Sequence, residues 1–311
     1  MPRAAPAAAR AVEIISFLTA HPSRSFTISE LARHLEMNIA SAHATLAVLC
    51  DSGFVIRDPA HRTYRLGTAL AASGFAVVEQ TPGIQAAIEQ ADILAGELDA
   101  EIALSAIAGR DVIFLARRGP IPTSSAIAYP GDRMPLMAPI GAVFMAWAGE
   151  SAIEAWLRRA EVGEEGTAHL HRVLAEIRDR GFSVPLQSIA TDEINEAVVR
   201  IRSQPADDDA ERHLAKLYQQ EGETLLLFED LPPAAQIQYK VIAAPIFDAQ
   251  GQVIITISVT GPDHPVPLAE VMKLGRRLTR SAALATREGR GRPPERRRTP
   301  RPDQTGHAAD T

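Results

Sequence analysis

The sequence predicts an α+β protein in two units: a small helical head closed by a hairpin, then a larger body in which antiparallel hairpins alternate with helices. Three observations carry this. A length of 311 residues suits about two domains. Residues 10–67 read as three short helices and a hairpin, each opened by a cap or turn signal. Residues 82–286 switch repeatedly between helical and alternating apolar periodicity. Composition agrees with a folded chain, with 46% hydrophobic and 23% charged residues. No run approaches the ~18 apolar residues of a membrane span. The opening MPRAAPAAAR lacks the apolar core of an export signal, so the expected location is the cytoplasm. Cys50 is the single cysteine, which excludes an internal disulfide, and no Cys/His cluster suggests structural zinc.

The elements follow in order. Residues 1–9 and 287–311 are rich in Pro, Arg and polar residues without apolar periodicity, and are expected to be a disordered arm and a disordered basic tail. Val12, Ile15 and Leu18, with Ala11 and Ile14, follow helical spacing, which predicts a first helix over 8–20. Thr27-Ile28-Ser29-Glu30 is a capping box for a second helix over 28–35. Asn38 is a good N-cap for a third helix over 39–51, and Gly53 ends it. Residues 54–57 and 63–66, joined by Asp58-Pro59-Ala60-His61-Arg62, form a hairpin. Three helices followed by a hairpin is the winged helix-turn-helix plan, with the third helix placed for a major groove and the hairpin beside the backbone.

Residues 68–81 read as a helical linker, and Thr81-Pro82 opens a helix to about Leu98. Strands are expected at 101–107 and 112–116, then helices near 139–148, 150–160 and 168–180. Two more helices, 191–203 and 207–221, precede strands at 224–229, 239–246 and 253–260. A last helix covers 267–286.

Charge is unevenly spread. Residues 1–75 carry seven Arg against five acids, a net of +2, and residues 287–311 carry seven Arg against four acids, a net of +3. Residues 76–286 carry −11. An acidic body excludes a general nucleic-acid coat, so any DNA contact falls to the head.

In several fragments the sequence resembles the isocitrate-lyase-regulator (IclR) family of bacterial transcription factors. The fragments are Arg10-Ala11-Val12-Glu13-Ile14, Ile28-Ser29-Glu30-Leu31-Ala32, Gly53-Phe54-Val55 and Tyr64-Arg65-Leu66-Gly67 in the head. In the body they are Gly131 to Leu136, Val241 to Asp248, and Ser258-Val259-Thr260-Gly261-Pro262. The resemblance implies a winged helix-turn-helix joined by a linker helix to a GAF-like effector-binding domain. It further implies dimers or tetramers on double-stranded operator DNA, no cofactor, and control by a small molecule, with repression favoured over activation.

Departures from the family pattern bear on mechanism. Glu36 stands where members carry Gly, and Ala44 where they commonly carry Arg. Base readout is thus assigned to Ala40, Ser41, His43 and Ala44, small side chains suited to thymine methyls and single hydrogen bonds. Phosphate contacts are assigned to Arg24, Arg33, Arg57, Arg62 and Arg65, with Ser29 and Asn38 at the helix starts. In the body, the family's Gly-Lys is missing from Ala138–Met145, Val241 replaces the usual Cys, and the usual acid falls near Leu231. About 60 residues separate Gly181 from Val241, which implies an insertion over about 187–235. The candidate effector residues are Ile140, Gly141, Tyr239, Val241, Ser258 and Thr260, with the Ile140-Gly141 amides at a helix start receiving a polar group. A pocket stripped of Lys, Cys and acid suits an apolar or amphipathic ligand better than a small dianion, with the insertion as a lid.

Other classes are weighed on the same residues. His169 and His171 are two apart, the wrong spacing for one helical face, and Asp207-Asp208-Asp209 lacks the Gly and terminal Glu of a calcium loop. No phosphate-cradling glycine loop is present. An enzyme is therefore not expected. A GAF-type sensor acting only through protein partners remains the alternative.

Overall fold

The computed structural model describes residues 5–22, 24–120, 130–185, 193, 196–197, 200, 208–220 and 227–294. Helix α1 (Pro6–Ala20) starts inside the arm expected to lack order, because Pro6 takes a first-turn position where its missing N–H costs nothing. A two-residue strand, β1 (Phe26–Thr27), leads into α2 (Ile28–His34). The capping box is closed as expected. Thr27 N donates to Glu30 Oε2 at 2.7 Å and Glu30 N donates to Thr27 Oγ1 at 3.3 Å. Helix α3 (Ile39–Asp51) is capped by Asn38, whose Oδ1 accepts from Ser41 N at 2.7 Å. Strands β2 (Val55–Asp58) and β3 (Thr63–Leu66) form the wing, and β1 adds to β3. Ile14, Leu18, Leu31, Leu46 and Val55 are buried together between these elements.

Helix α4 (Ala69–Gln80) is the linker and has no buried residue. Helix α5 (Pro82–Leu98) opens the body. Its sheet runs in the order β6 (Arg133–Pro135), β5 (Asp111–Arg118), β4 (Ile102–Ala108), β9 (Val253–Thr260), β8 (Val241–Phe247), all antiparallel. A short ribbon pairs β7 (Gln236–Ile237) with β10 (Val266–Pro267).

The alternation of each strand gives the sheet two unlike faces. Ile102, Leu104, Ile242, Ile246, Ile255, Ile257 and Val259 pack with α5 and α10 (Leu268–Glu288) into one aliphatic core. A second core joins Val112 and Ala243 of the opposite face to α6 (Ala142–Met145), α7 (Glu150–Arg159) and α8 (Glu164–Arg180). Ala210, Leu214 and Leu217 of α9 (Asp208–Gln220) are buried in it, so this part of the expected insertion lies over the second core.

Two expectations need correction, and a third falls outside the described residues. Phe228–Asp230 is a 3-10 turn and not the end of a strand, because Phe228 N donates to the Glu176 carboxylate at 3.0 Å instead of to a neighbouring strand. Residues 224–226 and most of the 191–203 helix lie outside the described residues. The basic tail begins later than expected. Helix α10 runs to Glu288, and Gly291 N and Arg292 N then donate to the Thr286 and Asp248 carbonyls.

Among the described residues, head and body approach closely at Gly131. Gly131, at φ +92°, brings its backbone so near α1 that a Cβ there would lie 2.4 Å from Thr19 Cγ2 and 2.9 Å from its carbonyl oxygen. Glycine meets both demands, the left-handed backbone and the close approach.

Candidate functional site

In the head, α3 presents an exposed face of Ile39, Ala40, His43, Ala44, Ala47 and Val48, with Ser41 half-buried at its edge. Ser29 and Arg33 are exposed on α2, and Arg57, Arg62 and Arg65 are exposed on the wing. The wing tip is tightly turned. Asp58 Oδ1 accepts from Ala60 N at 2.8 Å and His61 N at 3.2 Å, with His61 Nδ1 3.0 Å from Oδ2. The hydrogen bonds from the His61 side chain and backbone hold the Asp58 carboxyl below its usual range. Arg62 takes a left-handed φ of +56° at the end of this tip, which turns the chain back into β3. The head therefore offers a weakly polar helix face flanked by exposed guanidinium groups, an arrangement suited to a groove between phosphates.

In the body, the polar positions gather on the sheet face opposite the aliphatic core. The register sets Ala103 against Ser258 and Ser258 against Ala243, with Ser105 against Thr256 and Val241 against Thr260. Ser258 Oγ donates to the Ala103 carbonyl at 3.2 Å, and the Ser105 and Thr256 hydroxyls are 2.7 Å apart. Thr260 Oγ1 donates to Glu101 Oε2 at 3.0 Å, and Glu101 Oε1 is ion-paired with Arg117 Nε. Both charged side chains are buried, Arg117 at 8% and Glu101 at 2% exposure. Helix α6 packs across β8 and β9 on this side, so small hydroxyl and methyl side chains face Val143 and Phe144 with one buried ion pair at the end of the row.

Comparison with solved structures finds the same architecture. An IclR transcriptional regulator from Alicyclobacillus acidocaldarius matches with a TM-score of 0.64 at 20% identity, over 92% of this chain and 100% of that one. IclR from Thermotoga maritima matches at 0.53 and 17% identity, over 90% and 97%. An IclR homologue from Microbacterium hydrocarbonoxydans, complexed with 4-hydroxybenzoate, matches at 0.58 and 18% identity, over 91% and 99%. No curated protein sequence matches. Residues 7–59 match the family model of the IclR helix-turn-helix domain. The head is thus similar to that domain, and the whole chain shares the fold of the IclR structures.

The family-model match falls within the head, and the likeness in fold to the IclR structures extends over the body. Among the sequence-derived head residues, Asn38 has its Oδ1 committed to capping α3, which fixes where the helix begins. Glu36, where the family pattern has Gly, takes φ +50°, the left-handed conformation that a glycine adopts without strain. The outward Ile39 and Val48 were not singled out by sequence, because apolar helix residues are read as core until packing shows otherwise.

Among the effector candidates, the structure brings together Val241, Ser258 and Thr260 and separates the rest. Tyr239 is buried in the aliphatic core beside α10, where burial and then Glu270 push its pKa up to about 12. Leu231 packs against that same core. Helix α6 has only four residues, too short for an aligned dipole, and the Ile140 carbonyl accepts from Trp156 Nε1 at 2.7 Å. The Ile140 carbonyl is thus committed to Trp156, and the short helix gives the Ile140-Gly141 amides little dipole support. Sequence reading missed Arg117 and Glu101, which stand on the face that carries Ser258 and Thr260. Among the described residues, no group of three or more His, Cys, Asp or Glu is placed to hold a metal, and no helix is long and apolar enough to cross a membrane.

Proposed function

We propose that this protein is an IclR-type transcriptional regulator, an oligomeric repressor that grips its operator with paired heads and releases it when a small amphipathic molecule occupies the body. The observation that carries this reading is the division of labour between units. A head with a solvent-facing α3 and a basic wing is tied by a linker without buried residues to a body whose one sheet face is lined by small and polar side chains. Ala40, Ser41, His43 and Ala44 then read base edges, and Arg33, Arg57, Arg62 and Arg65 hold phosphates. Ser258 and Thr260 bound the ligand's seat. The homologue complexed with 4-hydroxybenzoate supports a ligand of that size and amphipathic character.

Footprinting on the DNA flanking its own gene, over a series of salt concentrations, tests the reading. Log affinity is expected to fall linearly with log salt. Arg62→Gly, which keeps the left-handed tip while removing a charge, is expected to weaken all sequences about equally and to lower the salt slope by about 1. His43→Ala is expected to change base preference instead. Salt-independent affinity, or a change of sequence preference with Arg62→Gly alone, overturns the assignment.

A further inference from the structure

We infer that Arg117 is the anchor for a carboxylate on the effector, and that Glu101 occupies its place as a built-in surrogate until the effector arrives. The inference rests on the reading that the Ser258 face seats the effector, and it names the chemical class: a monocarboxylate with an apolar body.

The argument starts from the cost of the pair. A buried ion pair gains little over apolar packing of the same volume, because desolvating two charges offsets their attraction. Arg117 and Glu101 are nonetheless both nearly sealed from solvent at the end of an otherwise uncharged row. The backbone puts Arg117 there by a specific irregularity. A bulge between Leu104 and Ser105 in the β4–β5 ladder sets Leu104 opposite Ala116 and Ala103 opposite Arg117, while Ser105 opposes Phe114. Without it, strict alternation turns Arg117 toward α5. With it, Arg118 takes the α5 side, ion-paired with Asp92 at 2.6 Å, and Arg117 joins the effector face.

Along that face Arg117, Ala103, Ser258 and Ala243 are successive cross-strand neighbours. Two strand spacings, about 9.6 Å, separate the Arg117 and Ser258 backbones, and only Ala103 lies between them. A row of methyl and hydroxyl groups on the sheet face therefore ends at a guanidinium. Its planar fork can match a carboxylate in two parallel hydrogen bonds, and a carboxylate oxygen, Glu101 Oε1, already sits against its Nε. Glu101 also has somewhere to go, because Thr260 Oγ1 donates to its other oxygen and Thr260 N to its carbonyl. An incoming carboxylate thus exchanges one anion for another at Arg117 and leaves the count of buried charges on the arginine unchanged. A dianion brings a second charge with no partner on this face. A neutral ligand gives up the exchange altogether.

Exchange also has a path to the head. Glu101 follows α5 by two residues beyond Asp99, which ends that helix at a left-handed φ of +47°. The other end of α5 meets the linker α4 at Thr81.

Calorimetry on the full chain tests this with benzoate, phenylacetate and hexanoate, and with benzamide and benzyl alcohol as neutral counterparts. Glu101→Gln keeps the shape and the Thr260 hydrogen bond while removing the surrogate anion. It is expected to bind the monocarboxylates at least ten-fold more tightly than the unmodified protein. The double variant Glu101→Gln with Arg117→Gln replaces the ion pair by two neutral amides and avoids stranding a charge. It is expected to fold, by its thermal transition, and to lose that gain. Neutral counterparts binding as well as the acids, no tightening with Glu101→Gln, or retained acid binding in the double variant each overturn the inference. The wider reading fails separately, if neither acids nor neutral compounds alter DNA affinity.

Discussion

His34 shows how a single side chain ties the head to pH. Its ring stacks on Phe17 at 5.2 Å and meets Phe26 edge-on at 6.2 Å. Burial, then the charges of Arg33, His21 and Arg24, hold its pKa below the ordinary 6.5, with Glu30 opposing them. The sign follows from linkage. Above pH 6.5 the ring is neutral in both folded and unfolded chains, and the full stability of the head is present. As pH falls below 6.5 the unfolded chain takes up a proton first, so stability is lost until the folded ring also protonates. The expected outcome is faster amide exchange at the buried Leu31 and Leu46 in pH 5.5 buffer than in pH 7.5 buffer, after correction for intrinsic rates. His34→Gln is expected to shrink that difference. An unchanged difference assigns the pH effect to other groups.

Close packing of elements supplies a pair of substitutions with opposite signs. Gly275 lies in α10 against Phe182, and a Cβ there would come within 2.3 Å of two ring carbons. Phe182 is fully buried, with the Arg180 guanidinium 5.4 Å from its ring, so it has little room to retreat. Gly275→Ala gains about 1 kcal/mol of helix propensity but incurs overpacking, for a net loss of about 1–2 kcal/mol. Gly96 in α5 has open space about its Cα, so Gly96→Ala is expected to stabilise by up to ~1 kcal/mol. Urea midpoints at constant slope check both. These contacts also mark where sequence reading stopped. The elements with local chemistry were legible: the Thr27 box, the Asn38 cap, the left-handed Gly181 that ends α8, and the long alternating β8 and β9. Strands β1, β6, β7 and β10 were not, because two or three residues carry no period. The site was half legible for the same reason. Ser258 and Thr260 alternate plainly along one strand, whereas Arg117 reaches their face only through a bulge that residue types do not announce.

At the scale of the whole molecule, the linker is the element that one chain alone leaves unexplained. Helix α4 has twelve residues and none of them is buried. Phe75 is 76% exposed and Val77 is also exposed, as is Val12 on α1. An isolated helix of about twelve residues is marginal in water, and helices in proteins are held mainly by packing an apolar face. In the proposed oligomer, a second copy covering α4 with its own α4 and α1 would supply that packing, and it would set two heads at a fixed spacing for two half-sites. Phe75→Ser removes the largest apolar group from this face without touching the head or the sheet. It is expected to shift the chain toward monomer in sedimentation at micromolar concentration. It is also expected to lower operator affinity by more than ten-fold, since the second head then binds as a separate molecule instead of at the effective concentration its tether provides. Binding to a single half-site is expected to stay the same, which separates lost pairing from a damaged head. If Phe75→Ser sediments as the unmodified protein does and keeps its operator affinity, the copies meet through the body and the linker is covered by something else.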